Sequence, residues 1–201
     1  MPVTKIDFRT LRPVGGSLQD SFQQLINLVA RDTLADGQNF WVKGDGADGG
    51  VECVLIKKAG EEIGWQAKYV DSWDKAGPQL TKSFRRSLTS HPKLDTFIVC
   101  VPFDLSDGRQ KGERKSAKDK YDSWVAARNS EASKSGRKIE IVFWGKAQIT
   151  ANLLSGPSPD ARLRYFFNST VLTSEMLKRL FRRTVSALGS RYVAEHHISF
   201  Q

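Results

Sequence analysis

The chain has 201 residues, of which 39% are hydrophobic and 26% are charged, and it can bury a core as one domain or as one domain with an attached element. This composition excludes a disordered chain, a collagen-like repeat and a small disulfide-bonded scaffold. No apolar run approaches the roughly 18 residues of a membrane span, and the N-terminal residues form no signal-peptide core, so we expect a cytoplasmic protein without membrane contact. The net charge of +9 is compatible with a polyanionic partner.

The first predicted element is a helix from about Ser17 to Leu34. Ser17 and Asp20 have the spacing of an N-terminal capping pair, and apolar residues recur along one helical face. Glycine- and aspartate-rich turns then separate three β-like runs, Phe40 to Lys43, Val51 to Lys57 and Ile63 to Val70. The turn at 59–62 joins the last two runs as a predicted hairpin.

The second half of the chain alternates helices with strands. Gly77-Pro78 opens a predicted helix that ends at His91-Pro92, and 96–101 has the apolar, β-branched pattern of a strand buried on both faces. The further predicted elements are a loop at 106–116, a helix through Tyr121 and Trp124, a loop at 130–137, a strand at 139–144 and a short helix ending near 154. This alternation predicts an α/β fold, and the embedded hairpin predicts a mixed central sheet flanked by helices.

The C-terminal part differs in character from the rest. Residues 155–159 are rich in Ser, Gly and Pro and are the best candidate for a domain boundary. Beyond them, the spacing of apolar residues over 176–188 predicts an amphipathic helix. The last residues, 192–201, contain a β-like run for which the sequence offers no partner strand.

Charge is unevenly distributed along the chain. Residues 36–62 carry a net charge of −3, whereas 105–138 and 160–191 each carry +5. Metal-assisted chemistry on a phosphate polymer would need such an acidic segment between basic flanks, because carboxylates bind a cation and basic side chains attract phosphate. A patchy solvated surface would explain the same charges without a function.

The densest chemical signal joins Glu52 to the tripeptide Gln66-Ala67-Lys68. If the hairpin forms, Glu52 at the start of one strand lies beside Gln66 and Lys68 on its antiparallel neighbour, and Gln66 and Lys68 share one strand face. Oxygen atoms of Glu52 and Gln66 can then ligate a divalent cation, and Lys68 can orient a water or stabilise phosphorane charge. The preceding Gly49-Gly50 would let a phosphate backbone come close.

The same spacing has a purely structural interpretation. Lys68 would pair with Glu52 as a cross-strand ion pair, and Gly49-Gly50 would be a turn. Spacing alone does not separate this interpretation from the catalytic one.

These residues resemble the motifs of the PD-(D/E)XK nuclease superfamily, specifically its Mrr-like branch. In that branch glutamine replaces the second carboxylate in a Q-x-K tripeptide, and the first acid closes a D-G-G-(I/V)-(D/E) run, here Asp48 to Glu52. The resemblance implies a restriction-endonuclease-like α-β-β-β-α-β core over 17–101, with peripheral elements to 154 and a C-terminal helical connector.

The resemblance also implies a Mg²⁺ or Mn²⁺ cofactor and a role for each matched residue. Glu52, Gln66 and the backbone carbonyl of Ala67 would hold the metal, and Lys68 would be the catalytic lysine. Asp48 would be a further ligand or a turn residue.

Two departures from the family pattern bear on the metal. Many members carry a glutamate after a phenylalanine on the first helix, where this chain has Gln23 after Phe22, which puts a second metal in doubt. Glu52 replaces the more usual aspartate, which keeps the negative charge and lengthens the side chain.

A narrower resemblance concerns domain organisation. The segments 65–69, 91–92, 101–105 and 191–195, the last reading Arg-Tyr-Val-Ala-Glu, are similar to the N-terminal effector nucleases of antiviral STAND NTPases, the Avs group. This similarity implies a nuclease domain at 1–155 and a helical connector at 156–201 leading toward an NTPase module. It further implies cleavage of double-stranded DNA with little sequence specificity, activated when the chain forms a homo-oligomer, a dimer or a tetramer.

The predicted DNA contacts lie on the second helix and in the loop at 106–116. They are the neutral Gln79 and the basic residues Lys82, Arg85, Arg86, Lys111, Arg114 and Lys115. Two other hypotheses compete with a nuclease: a nucleic-acid-binding relative of the same fold without turnover, and an interaction domain in which the helix at 176–188 drives oligomerisation.

Overall fold

A five-stranded sheet with α-helices on both faces forms the molecule. The computed structural model describes residues 6–43, 49–108, 115–168 and 174–188. After a 3-10 turn at Phe8–Thr10, the elements are α1 (Leu18–Arg31), β1 (Asn39–Val42), β2 (Cys53–Ile56), β3 (Glu62–Ala67), α2 (Trp73–Ser90), β4 (Leu94–Cys100), α3 (Ala117–Lys134), β5 (Glu140–Trp144), α4 (Lys146–Ser155), α5 (Pro159–Phe167) and α6 (Ser174–Leu188).

The sheet is mixed, with the strands in the order β1-β2-β3-β4-β5. The pairs β1–β2 and β2–β3 are antiparallel, and the pairs β3–β4 and β4–β5 are parallel. A tight turn suffices for the antiparallel β2–β3 pair, whereas the parallel pairs need the crossover helices α2 and α3. The predicted α/β class and mixed sheet are confirmed.

Each face of the sheet buries its own apolar cluster. Helices α2 and α3 cover one face, and α1, α4 and α5 cover the other. Successive crossovers in one direction along a sheet, each with the usual right hand, place their helices on the same face, which accounts for α2 and α3 lying together. β4 is buried along nearly its whole length, as its apolar sequence predicted.

Helix α1 begins where the sequence predicted. The Ser17 side chain accepts a hydrogen bond from the Asp20 backbone N–H at 3.0 Å, which satisfies one of the free donors of the first turn. Phe22, Leu25 and Ile26 lie on its buried face and pack on the sheet.

The predicted limits of two helices were wrong, and one helix was missed. Helix α2 begins at Trp73 rather than at Gly77-Pro78, because the buried Trp73 ring packs against Tyr121 of α3 and draws the first turn into the core. Helix α3 continues to Lys134, through the first part of the loop predicted at 130–137, and Ala132 is buried there. Helix α5 was not predicted, since the Ser- and Pro-rich stretch before it signals a break.

The packed core extends past the predicted domain boundary. Leu163, Phe166 and Phe167 of α5 belong to the same buried cluster as α1 and α4. Helix α6 forms as predicted, and its described side chains Leu177, Leu180 and Phe181 are exposed. Residues 189–201, which include the predicted Arg-Tyr-Val-Ala-Glu motif, lie outside the described residues, and the division at 155 stays a prediction.

The described residues include no membrane-spanning helix, and their two cysteines are free thiols. None of their helices is both long enough and apolar enough to cross a membrane. Cys53 and Cys100 are buried and not disulfide-bonded. Burial raises the pKa of both thiols, so they are poor nucleophiles and poor metal ligands.

Candidate metal and phosphate site

The hairpin brings Glu52 and Gln66 face to face. Cys53 pairs with Trp65 in the antiparallel register, so Glu52, one residue before β2, lies opposite Gln66 of β3. The Glu52 N–H donates to the Trp65 carbonyl at 2.7 Å, one residue out of this register, so the ladder is irregular at Glu52. The side chains of Glu52 and Gln66 nevertheless meet, because Gln66 Nε2 donates to Glu52 Oε1.

Gln66 and Lys68 share the face of β3 that α2 covers. Trp65 and Ala67, on either side of Gln66, point into the α1 cluster, so the alternation of the strand directs Gln66 to the other face. Lys68 follows at the next position on that face, just after β3 ends. The strand period thus separates the polar site from the apolar cluster beneath it.

A carboxylate, an amide and an ammonium meet at one buried point. Gln66 Nε2 donates to Glu52 Oε1, and Lys68 Nζ lies 3.8 Å from the same oxygen. Gln66 is 0% exposed and Glu52 is 7% exposed. The Lys68 side chain is 17% exposed, so it lies between the buried Glu52 carboxylate and solvent.

The ion-pair interpretation and the catalytic interpretation describe the same contacts. Lys68 compensates the charge of Glu52, which would be costly to bury alone. The pair therefore stabilises the site whether or not it also performs chemistry.

One buried acceptor at this point has no hydrogen-bond partner within the described part of the protein. It is Gln66 Oε1. A buried amide oxygen normally finds a donor, and one that lacks it needs an explanation such as an ion. Carboxylate, amide and carbonyl oxygens are the ligands that Mg²⁺ and Mn²⁺ prefer, so Glu52, Gln66 and the Ala67 carbonyl fit such a cation.

The ligand set holds few carboxylates. Among the described residues no cluster of three or more His, Cys, Asp or Glu side chains could hold a metal ion. Asp48, the predicted further ligand, lies outside the described residues. Mg²⁺ commonly takes only one or two carboxylates and completes its shell with water and substrate phosphate, so a site of this kind would rely on substrate.

The α1 side chain that hydrogen-bonds to the end of β3 is Gln19. Gln19, one turn before Gln23, donates from Nε2 to the Ala67 carbonyl at 3.1 Å, and its Oε1 accepts from the Tyr69 N–H at 2.8 Å. Gln23 is half-buried on the same helical face. Hydrophobic periodicity cannot find Gln19, because it is a polar residue at the edge of the buried stripe.

Gly50 serves the packing of α2 rather than the approach of phosphate. Its φ is +89°, and a Cβ there would lie 2.1 Å from the Ser83 carbonyl oxygen and 2.7 Å from the Ser87 nitrogen. Gly49, with φ +61°, is similarly close to His91. The prediction that these glycines admit a phosphate backbone is wrong for Gly50, because the backbone that comes close is that of α2.

The close packing at Gly50 brings the acidic segment against α2. Gln79, Lys82 and Arg86 lie on one stripe of α2 at helical spacing, and a Cβ at Gly50 would be 3.0 Å from the Arg86 Cβ. We call Gln79, Lys82 and Arg86 the α2 stripe. Of these three residues, Arg86 lies beside Gly50.

The other predicted DNA contacts are placed differently. Arg85 projects toward α3, where its Nε lies 2.7 Å from Glu131 Oε1. Lys115, just before α3, donates to Ser123 Oγ at 3.1 Å. Lys111 and Arg114 lie outside the described residues.

The chain was compared with protein-family models and with curated protein sequences. No protein-family model matches the chain, and no curated protein sequence matches it either. The functional argument therefore rests on the residues and their geometry.

Proposed function

We propose that this chain is a metal-dependent endonuclease that hydrolyses phosphodiester bonds of double-stranded DNA with little sequence specificity. The observation that carries the proposal is the buried meeting of Glu52, Gln66 and Lys68, with Gln66 Oε1 lacking a donor among the described residues. An oxygen ligand pair beside a partly exposed ammonium suits phosphoryl transfer, in which positioning and charge stabilisation do most of the work.

The described residues would hold Mg²⁺ or Mn²⁺ through oxygen atoms alone. When bound, such a cation polarises a phosphate and lowers the pKa of a coordinated water. The Ala67 carbonyl accepts from Gln66 Nε2 at 3.3 Å as well as from Gln19. Turning the Gln66 carboxamide would present Oε1 as a ligand and release one lone pair of that carbonyl.

Lys68 would act at the mouth of the site. Its ammonium is held beside Glu52 and is partly exposed, so it can reach a phosphate oxygen or a water that approaches from solvent. A positive charge at this position would stabilise the negative charge that develops on phosphorus. The α2 stripe would then hold the flanking phosphates of the duplex.

The sequence resemblance extends the proposal to a biological setting. The chain would be the effector domain of an anti-phage defence protein whose NTPase module follows it, and homo-oligomerisation of the full-length protein would activate it. The nuclease would be inactive while the chain is monomeric, so the assay needs an oligomeric form of the protein as well as the isolated chain.

Nicking of supercoiled plasmid in the presence of Mg²⁺ or Mn²⁺ tests the proposal. The wild-type chain, alone and fused to a tetramerisation tag, is compared with Lys68→Ala and Glu52→Ala. The matched controls are Lys134→Ala and Glu61→Ala, which remove an exposed lysine and an exposed glutamate. We expect nicking by the wild type and both controls, and loss of at least about 100-fold in the two site variants.

Two outcomes would overturn the nuclease proposal. One is DNA binding without nicking by the tagged wild type, and the other is equal nicking by all variants. Chelation with EDTA should abolish the activity in every active sample, because the ligand set provides no substitute for the cation.

A second function, nucleic-acid binding without turnover, has one observation in its favour. Gln19, which contacts the end of β3, and Gln23, one turn later on the same face of α1, both carry amides rather than carboxylates. Salt-dependent DNA binding by a chain that does not cleave under any cation would select this function.

Helix α6 supports a third possibility, an interaction domain. Its side chains Leu177, Leu180 and Phe181 are exposed on a helix with a basic opposite face. Sedimentation of the chain with and without 174–188, together with a DNA shift assay, separates oligomerisation by this helix from the two DNA functions.

A further inference from the structure

The Gln19 side chain takes the place of a missing strand at the end of β3. Its carboxamide donates to the Ala67 carbonyl at 3.1 Å and accepts from the Tyr69 N–H at 2.8 Å. A primary amide carries one carbonyl and an N–H donor, the same pair that a peptide group of a neighbouring strand would offer. The side chain thus extends the ladder by one step.

The geometry of β3 explains why these backbone groups need hydrogen-bond partners from a side chain. Backbone groups of alternate residues point to the same side of a strand, so Ala67 and Tyr69 face the β2 side, as Trp65 does. The Trp65 carbonyl is bonded to the Glu52 N–H, but before Glu52 the chain turns away toward α2 through Gly50. Without Gln19, the Tyr69 N–H would lose this acceptor, and the Ala67 carbonyl would keep only the 3.3 Å hydrogen bond from Gln66 Nε2.

Lys68 lies between these two anchored groups and is anchored itself. Its N–H donates to the Cys100 carbonyl on the β4 side at 3.0 Å. The Tyr69 hydroxyl donates to the Phe8 carbonyl at 2.9 Å, which fixes the next residue as well. The backbone around Lys68 is therefore held from both edges although β3 has ended.

We propose that Gln19 is a positioning residue that sets where the Lys68 ammonium and the Ala67 carbonyl lie relative to Glu52. This inference rests on the proposed nuclease function. Gln19 does not touch phosphate or Glu52; it acts through the backbone on both sides of Lys68. Groups that orient a ligand or a catalytic side chain typically contribute 10- to 100-fold to metal affinity or activity, to order of magnitude.

The test compares three variants of the whole chain in the plasmid assay. Gln19→Met keeps the length of the side chain and removes both hydrogen bonds. Gln19→Glu keeps the acceptor for Tyr69 and loses the donor to Ala67. Gln24→Met, the matched control, changes an exposed glutamine on the same helix.

We expect kcat to fall about 10- to 100-fold in Gln19→Met, by less in Gln19→Glu and not at all in Gln24→Met, with KM for DNA unchanged in all three. The dissociation constant for Mn²⁺, measured by calorimetry without DNA, should rise about tenfold in Gln19→Met. Loss of folded protein would lower the number of Mn²⁺ sites without changing that constant, so the two effects are separable.

The outcomes also separate this inference from the proposed function. If the wild type cleaves and Gln19→Met has the same kcat and the same Mn²⁺ affinity, the role of Gln19 is refuted and the nuclease proposal stands. If the tagged wild type does not cleave, both are refuted. If Gln19→Met fails to fold, the same comparison is made with Gln19→Glu, whose Mn²⁺ affinity and kcat must then fall for the inference to hold.

Discussion

The ion pair of Lys68 with Glu52 allows a quantitative test of the site by stability alone. At a separation of 3.8 Å the attraction of the two charges is about 4 kcal/mol for an effective dielectric constant of about 20. Desolvation of both groups offsets much of it. Lys68→Met keeps the aliphatic stem and removes the Lys68 ammonium from beside the buried Glu52 carboxylate.

The two single variants should lose different amounts of free energy of unfolding. The loss in the double variant should be smaller than the sum of the two single losses. We expect the free energy of unfolding to fall by about 3 kcal/mol in Lys68→Met, about 1 kcal/mol in Glu52→Gln and only about 2 kcal/mol in the double variant. Lys68 is more exposed than Glu52, so the ammonium left behind in Glu52→Gln can turn to water. The carboxylate left behind in Lys68→Met cannot.

Urea unfolding followed by tryptophan fluorescence, in EDTA to remove divalent cations, measures these quantities. The slope of free energy against urea should stay constant across the set, because the surface exposed on unfolding does not change. Losses that add to within about 0.5 kcal/mol would show that the two groups do not interact and would refute the reasoning.

Three further predictions concern the packing beside the site, an N-terminal ion pair and the α2 stripe. Gly50→Ala should destabilise the fold by about 3 kcal/mol and Gly136→Ala by about 1 kcal/mol in urea unfolding, since both have positive φ but only Gly50 lies against backbone; equal losses would exclude a packing role. The side-chain hydrogen bonds of Arg9 lower the Asp7 pKa to about 2, so Arg9→Ala should raise it toward 3.8 in an NMR titration. Any stability from this pair is present above pH 3.8 and is lost as the pH falls through about 2; an unchanged pKa would refute the assignment. Lys82→Ala should weaken DNA binding and lower the slope of log affinity against log salt by about 1, and an unchanged slope would remove Lys82 from the interface.

Local sequence predicted those elements of the fold whose signals are local. The capping serine before α1, the hairpin turn after β2 and the apolar run of β4 each depend on neighbours in the chain. The start of α2 was predicted too late in the chain. A proline normally marks the first turn of a helix, but Pro78 lies inside α2, which begins after Ser72 and buries Trp73 against α3.

The same distinction holds for the candidate site. Spacing and the period of the β-strand suffice to bring Glu52, Gln66 and Lys68 to one face, given a hairpin. Spacing does not reveal Gln19, because the link from α1 to the end of β3 spans 48 residues and has no periodic signature.

The sequence by itself determined the α/β alternation, the hairpin and the three polar side chains that meet on it, because strand and helix periods are properties of neighbouring residues. Only the tertiary structure decided how the site is enclosed. It placed Gly50 against α2 and Gln19 against the end of β3, and it left Gln66 Oε1 without a donor among the described residues. Burial and hydrogen-bond partners depend on which distant segments pack together, and no local pattern encodes that choice.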